Sequence, residues 1–432
     1  MGLTAATFTA LTLLMCALYV RSMWRKEQES RMIRDAAAEA GLVEPPSLHP
    51  IIDPVECIGC GDCVDACPEG QVLGLIDGKA ELIEPTHCIG HGACKSACPT
   101  DAIQLVFGTA TRGVDIPLVQ PDFETNVPGI FIAGELGGMG LIRNAVEQGR
   151  QAMDSIRRLE RLGNPSQLDV VIVGAGPAGI SASLSAMEHG LRSVTLEQDS
   201  LGGTVSHYPR GKIVMTAPAV LPMVGKMKFT ETTKETLLEF WKSIVEKTGL
   251  EIKYGERVEG IAPTQEGFEV RTERTRYRTR SVLLAVGRCG TPRKLCVPGE
   301  ESSKVIYRLT DPEQCRGRKV LVVGGGDSAL EAAASVAEEL GTTVTLSYRS
   351  KAFGRARLKN RERVQSLERS GRLNVLFSSK VTSIGEDRVE LEQEGRSIVL
   401  PNDDVVVCAG GILPTTFLEG VGIEVETKYG TA

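Results

Sequence analysis

The sequence predicts an α/β protein with two doubly wound domains, one inserted in the other. A small cysteine-rich domain and an apolar N-terminal helix precede them. Three observations carry this expectation. Glycine-rich turns between an apolar strand and a helix stand at 169–179 and again at 319–329. Seven of the twelve cysteines fall within 42 residues, from Cys57 to Cys98. No charged side chain occurs before Arg21. At 432 residues the chain exceeds one ordinary core, so about two to four domains are expected. A hydrophobic content of 42% with 24% charged residues excludes a disordered chain. The net charge of −6 gives no reason to expect a nucleic-acid partner, since the basic stretches RTERTRYRTR and YRSKAFGRAR are local.

From Gly2 to Val20 the run GLTAATFTALTLLMCALYV is uncharged, and RSMWRK follows. Nineteen residues at ~1.5 Å each just cross a ~30 Å hydrocarbon core, so residues 1–20 are expected to form a transmembrane anchor. A cleaved signal peptide and a buried helix are the competing readings, but a signal peptide carries a basic stretch that is missing before Arg21. Four threonines weaken the span. Arg21, Arg25 and Lys26 put the following side in the cytoplasm, and Tyr19 and Trp24 fit an interfacial belt. The expected location is single-pass in the inner membrane, with the body in the cytoplasm. Residues 21–52 read as a charged linker helix ending near Pro45 and Pro46.

CIGCGDCVDACP at 57–68 has the form C-x2-C-x2-C-x3-C-P, with Cys57, Cys60, Cys63, Cys67 and Pro68. CIGHGACKSACP at 88–99 aligns with it without a gap, keeping Cys88, Cys94 and Cys98 and placing His91 where Cys60 stands. Compact thiolates followed by proline have the spacing of 4Fe–4S binding, in which three close sulfurs grip one face of a cubane. Zinc is the competing reading, but it favours two ligand pairs with a longer insert. The other cysteines, Cys16, Cys289, Cys296, Cys315 and Cys408, are scattered, which favours metal-bound thiolates in a reducing compartment over disulfides.

Residues 53–106 resemble a two-cluster ferredoxin domain, including the spacer VLGLIDGKAELIEPTHC and the trailing PTDAIQL. The resemblance implies that Cys57, Cys60 and Cys63 with Cys98 hold one cluster. It implies that Cys88 and Cys94 with Cys67 hold a second, whose fourth iron faces His91. Three outcomes stay open there: His91 ligates iron, a three-iron cluster forms, or the site is empty. A neutral imidazole in place of a thiolate removes one negative charge, so ligation by His91 predicts a higher potential than that of the first cluster. His87 reads as a solvated loop histidine, with ligation as its alternative.

DVVIVGAGPAG at 169–179 places a strand before Gly174, Gly176 and Gly179, a helix follows, and a second strand ends at Glu197. Glycines that admit a pyrophosphate, a helix N-terminus facing it and an acid for ribose hydroxyls form the dinucleotide fingerprint. KVLVVGGGDSA at 319–329 repeats it with Gly324, Gly326 and Ala329, then Asp327 and Ser328 at the helix start. Its second strand ends at Arg349 and Lys351 without an acid, and Arg355 and Arg357 lie close behind. Cations suit a 2′-phosphate, so NADPH is expected there ahead of NADH. A solvated basic loop is the alternative.

Two such folds resemble the thioredoxin-reductase-like FAD/NAD(P) oxidoreductases over about 107–432. The matching residues include GAGPAG, Gly202 and Gly203 of LGGT, LLAVGRCGTPRKLCVPGE and DDVVVCAGGILPTTFLEG. The resemblance implies an FAD-binding domain over 107–290, completed by 405–432, and an NAD(P)H-binding domain over 291–404. Two departures stand out. LGGTVSH carries no cysteine and no C-x-x-C occurs in the second fold, so the redox dithiol of the family is missing. The family's closing segment, T-x-V-P-G-I-F-x-A-G-D, stands instead at 125–135 as TNVPGIFIAGE, with Gly134 followed by Glu135 in the acid's place. FGTA at 107–110 and YGTA at 429–432 repeat each other, marking the seam of a circular permutation and predicting that the C-terminus lies near Thr109.

The expected function is a membrane-tethered oxidoreductase that uses NAD(P)H, FAD and one or two 4Fe–4S clusters, the second His-ligated or three-iron. No acid–base side chain is required. His207 and Tyr208 could approach the flavin, with packing the favoured role. The expected partners are a pyridine nucleotide, an unidentified electron-transfer protein that is ferredoxin-like or membrane-associated, and the membrane through the N-terminal helix, with a second copy of the chain as a further candidate. The rival readings are ferredoxin-driven NADP reduction and a redox sensor or docking subunit without turnover.

Overall fold

The computed structural model describes residues 2–39, 43–45, 48–88, 90, 92–110, 113–138, 141–160, 163–208, 210–216, 218–229, 231–288, 290–354, 356, 358–412 and 414–430. The side chains of 2–12, 213, 215, 231, 291 and 358 lie outside this description. His91, Cys289, Arg355 and Arg357 also lie outside it. Two compact units form: Met1–Arg112 with Ala352–Leu358 and Tyr429–Ala432, and Gly113–Lys351 with Lys359–Lys428.

In the first unit Gly2–Glu39 is one helix of 38 residues. Among the described residues no helix is long and apolar enough to cross a membrane. The anchor expected at 1–20, and the membrane location drawn from it, is therefore not carried by the described residues.

The charged half of that helix does more than link. Arg31 pairs with Asp77, Arg34 Nη1 lies 3.1 Å from Glu81 Oε2, and Asp77 N–H donates to Glu27 Oε1 at 3.0 Å. Ser30 and Ala37 are buried, Ser30 against Gly74. Asp77 and Gly74 belong to the hairpin of Leu73–Ile76 and Lys79–Leu82, so the helix docks on the cysteine-rich domain. Exposed ion pairs of this kind contribute about 0.2–1 kcal/mol each. The helix is described as far as Glu39, and Val43–Pro45 are not helical, so it stops short of the expected Pro45 and Pro46. His49–Ile52, expected within the linker, pairs antiparallel with Ile103–Val106 and so belongs to the domain itself.

Each cysteine run leads into one short helix, Asp62–Asp65 or Ala93–Ala97, entered through left-handed Gly61 and Gly92. The core of the domain is Val72, Leu73, Ala80, Ala102 and Ile103 together with Cys57, Cys63, Cys88 and Cys94.

In the second unit a sheet runs in the order Ile252–Tyr254, Ser193–Glu197, Leu168–Val173, Arg276–Leu284, Gly267–Thr272, Val258–Thr264. Ile130–Ile132, from the displaced segment, pairs in parallel with Val282–Leu284. The following helix, Ile142–Ile156, packs on Pro177–Glu188 where a Cβ at Gly149 would collide with the Ala178 carbonyl. The permuted segment thus completes the first doubly wound domain. A second parallel sheet runs Val305–Ile306, Asp404–Val407, Lys319–Val323, Thr343–Ser347, Leu373–Leu376. The chain enters and leaves it through the antiparallel pair Thr291–Pro292 and Gly411–Ile412, which makes this domain an insertion.

Candidate functional site

The first glycine turn is built by close approach. Gly174 has φ 108°, and a Cβ there would stand 2.5 Å from the Ala285 carbonyl oxygen. A Cβ at Gly179 would strike the Gly174 carbonyl. Gly176 precedes the helix Pro177–Glu188 as its N-cap, without a side-chain cap, leaving the first amides free for an anion. Gly202 donates its N–H to Ala175 O at 2.9 Å, and a Cβ at Gly203 would lie 3.1 Å from Gly176 Cα. Gly174, Gly176, Gly179, Gly202 and Gly203 therefore converge on one helix end. Glu197, buried, accepts from Ala175 N–H at 2.7 Å through Oε2 and from Asp199 N–H at 2.8 Å through Oε1. These bonds fix the carboxylate against the loop, with lone pairs remaining for ribose hydroxyls.

The displaced segment reaches the same place. A Cβ at Gly134 would lie 3.1 Å from Ala178 Cβ, and Gly134 N–H donates to Gln148 Oε1 at 2.8 Å. Glu135 is in the turn beside it. Burial pushes its carboxyl above the ordinary value, and the Arg288 guanidinium opposes that shift. Burial also lowers Arg288, with Glu135 and Asp115 opposing, and Arg288 Nη2 donates to Asp115 O at 3.2 Å. Arg288 was not singled out from the sequence; its signal was its place in the VGRCG stretch that returns from the sheet.

His207 lies between charges rather than in an open position. Its Nε2 is 3.2 Å from Asp199 Oδ2 and 3.0 Å from Arg308 Nη1. Burial, then Arg308, holds its pKa below the ordinary value. Tyr208 underlies Lys212, whose Nζ is 4.7 Å from the ring centroid and 2.6 Å from Glu331 Oε2.

In the second fold a Cβ at Gly324 would strike the Cys408 carbonyl, and Gly326 caps the helix Asp327–Ala337. Asp327, in the first turn, accepts from Asn360 Nδ2 at 2.7 Å, and Ser328 is exposed. Arg349 and Lys351 are exposed just beyond the strand Thr343–Ser347. Tyr348, missed in the sequence, lays its ring where a Cβ of Gly325 would be.

The cysteines ring two cavities in the first unit. One is lined by Cys57, Cys60, Cys63 and Cys98 with Gly59 and Gly61. The other is lined by Cys67, Cys88 and Cys94 with Glu69, Gly90 and Gly92. The last cysteine of each run thus crosses to the other cavity. Gly59, with φ 69°, is where the loop closes on the hairpin, since a Cβ there would strike the Gly78 carbonyl. His87 lines neither cavity. Among the described residues no three His, Cys, Asp or Glu side chains gather as a single-ion site needs. Thiols spread around a cavity fit a multi-iron cluster instead.

Burial, with Cys57 and Cys60 adding to it, pushes the Cys63 thiol up to about 11, and burial pushes Cys88 up to about 11. At Cys98 burial acts upward, but the Thr100 hydroxyl and the N–H groups of Thr100, Asp101 and Ala102 outweigh it and lower the thiol. Every described cysteine is free. Outside the cavities Cys296 is exposed, while burial raises Cys315 to about 11 and Cys408 to about 12. Among the described residues no cysteine pair lies at the Gly202–Gly203 turn.

The profile of the pyridine nucleotide-disulphide oxidoreductases matches residues 171–431, and that of the 4Fe–4S dicluster domain matches 49–99. A ferredoxin–NADP reductase of Ignicoccus hospitalis is 31% identical over 268 residues, covering 60% of this chain and 83% of that protein. A ferredoxin–NADP reductase of Bacillus licheniformis is 30% identical, covering 60% of this chain and 74% of that protein. The bacillithiol disulfide reductase of Staphylococcus aureus shares the fold, with a TM-score of 0.54 and 23% identity over 60% of this chain and 81% of its own. The permuted glycine folds and the crossed cysteine runs thus belong to one chain of the pyridine nucleotide-disulphide oxidoreductase family, an FAD-dependent enzyme of thioredoxin-reductase-like architecture fused to a 4Fe–4S dicluster domain.

Proposed function

We propose that this enzyme passes electrons between NADPH, FAD and two iron–sulfur clusters, with a ferredoxin-like protein as its outside partner. The observation that carries the reading is the pair of thiol-ringed cavities joined in one chain to a flavin fold whose described cysteines offer no dithiol. Bound FAD supplies the exchange between a hydride and single electrons, and the clusters carry the single electrons.

Gly174, Gly176, Gly179, Gly202 and Gly203 would admit the FAD pyrophosphate, and Glu197 its ribose, while Gly134 and Glu135 close the turn beside them. Gly324 and Gly326 would admit the nucleotide, with Asp327 and Ser328 at the helix start. Exposed Arg349 and Lys351, with no acid at the strand end, support NADPH over NADH by attraction to a 2′-phosphate. The thiols of Cys57, Cys60, Cys63 and Cys98 would hold one cluster, and those of Cys67, Cys88 and Cys94 the other. Relatives named ferredoxin–NADP reductases support a one-electron partner and make electron flow from ferredoxin to NADP the second reading.

Anaerobic addition of NADPH to the purified chain tests the proposal by visible absorbance and low-temperature EPR. Bleaching of the flavin together with new cluster signals is expected. A flavin that stays oxidised sinks the enzyme reading, and a bleached flavin with unchanged clusters sinks the internal path. Adding reduced ferredoxin and NADP to the same protein decides the direction.

A further inference from the structure

The second cavity has three thiols where the first has four. We propose that Glu69 supplies the missing ligand, a carboxylate oxygen bound to the fourth iron of the second cluster. This rests on the reading above that the second cavity holds a cluster.

Four observations lead to Glu69. It lines the cavity together with Cys67, Cys88 and Cys94. It follows Cys67 by two residues, and Gly70 N–H donates to Cys67 O at 3.3 Å, folding this stretch back on a cluster ligand. Its Oε1 is buried and has no hydrogen-bond partner among the described residues. Gly70 beside it, at φ 76°, turns the chain back toward Val72, whose N–H donates to Gly70 O at 2.8 Å.

A buried carboxylate oxygen is stable only against a donor or a cation. Three thiolates around the same cavity would make an unpaired carboxylate worse, and an iron at the open corner reverses that repulsion. Carboxylate oxygen is an ordinary ligand for iron, whereas a soft site of thiolates alone does not require one. The bond that forms is Fe–O, its electron pair coming from the ionised carboxylate, and no oxidant or reductant is consumed. Because Glu69 carries the same charge as the thiolate it replaces, the second cluster keeps the charge of an all-cysteine site. A neutral imidazole from His91 would not.

The full chain, purified anaerobically, tests this without relying on turnover. In the wild type, pulsed EPR of the reduced second cluster should lack the strong coupling of a directly bound nitrogen. Glu69→Gln keeps the size and removes the charge; it should lose one iron per chain and show a three-iron signal when oxidised. His91→Ala should keep the wild-type iron content. A bound-nitrogen signal in the wild type, or a Glu69→Gln protein with unchanged iron, spectrum and midpoint potential, overturns the assignment. A wild type with iron for one cluster only fails at the earlier step, because it removes the second cluster itself. The flavin spectrum and thermal melting of each variant report whether it folded, and the wild-type nitrogen measurement stands if Glu69→Gln does not fold.

Discussion

The amide of Gly430 donates to the carbonyl of Phe107 at 2.8 Å. A Cβ at Gly430 would also lie 3.8 Å from Thr109. The two aromatic-Gly-Thr stretches, 323 residues of chain apart at Phe107 and Gly430, therefore meet where the repeated tetrapeptide placed a seam. Thr431 and Ala432 themselves lie outside the described residues. Next to the seam Val425–Lys428 pairs antiparallel with Val114–Pro117, and Lys428 is the register partner of Val114. Strand ends in this relation can be joined by an ordinary hairpin loop of about two to five residues. A rearranged chain that starts at Gln167, runs to Lys428 and continues through such a loop into 114–160 should fold and bind FAD. Flavin absorbance after gel filtration is the measurement; a rearranged chain that folds without flavin would count against the permutation.

The helix of the displaced segment gives a sharper test of the same assembly. Gly149 meets the Ala178 carbonyl where any Cβ would collide with backbone, and both helices are buried at that crossing. Gly149→Ala should lower stability by about 1–3 kcal/mol, the usual cost of overpacking a core. It should also loosen FAD, because Ala178 is in the first turn of the pyrophosphate helix. Thermal melting and the flavin content of purified protein report the two effects, and wild-type values for both would mean that the helices do not cross there.

How much of this could be read from the chain depends on whether the determining neighbours are close in sequence. The glycines at 174–179 and 324–326 were legible because a fingerprint states its own geometry, and Cys98 was legible through the family's crossed pattern. Arg31 and Arg34 were not: their charges read as a charged linker helix, and only the hairpin 46 and 47 residues on, with Asp77 and Glu81, gives them partners. Glu69 was hidden behind a cysteine–proline pair that usually ends a ligand run. Tyr348 had no local signal, since what it packs against, Gly325, belongs to the neighbouring strand's turn. His91, at which the sequence pointed most directly, lies outside the described residues.

The cavity linings make an unusual prediction for single thiols. Cys98 belongs to the second run by sequence but lines the first cavity, and Cys67 does the reverse. Cys98→Ser should therefore erase the same EPR signal as Cys57→Ser, and Cys67→Ser the same signal as Cys88→Ser. Loss of one signal by Cys98→Ser and Cys88→Ser together would show that each run holds its own cluster.

Arg349 tests the choice of nucleotide. A charge-assisted hydrogen bond to a phosphate is worth about 1.5–3 kcal/mol, so Arg349→Gln should raise the KM for NADPH about tenfold or more. The KM for NADH should barely move, because NADH has no 2′-phosphate to lose. Oxidation of the two nucleotides with an artificial acceptor gives both values. Equal losses for NADPH and NADH would make Arg349 a general part of the loop rather than a phosphate reader.

His207 supplies the pH dependence. Burial, then the Arg308 guanidinium, holds its folded pKa below the ordinary value, while Asp199 pulls the other way. Well above the unfolded value of ~6.5 the ring is neutral in both states, and its contribution to stability is fully present. As pH falls through that value the unfolded ring takes up its proton first, so stability drops until the folded ring is protonated as well. His207→Asn should remove this drop while leaving stability near neutral pH little changed. Melting temperature against pH for the wild type and His207→Asn is the measurement, and parallel curves across the acid range would show that His207 is not the group responsible.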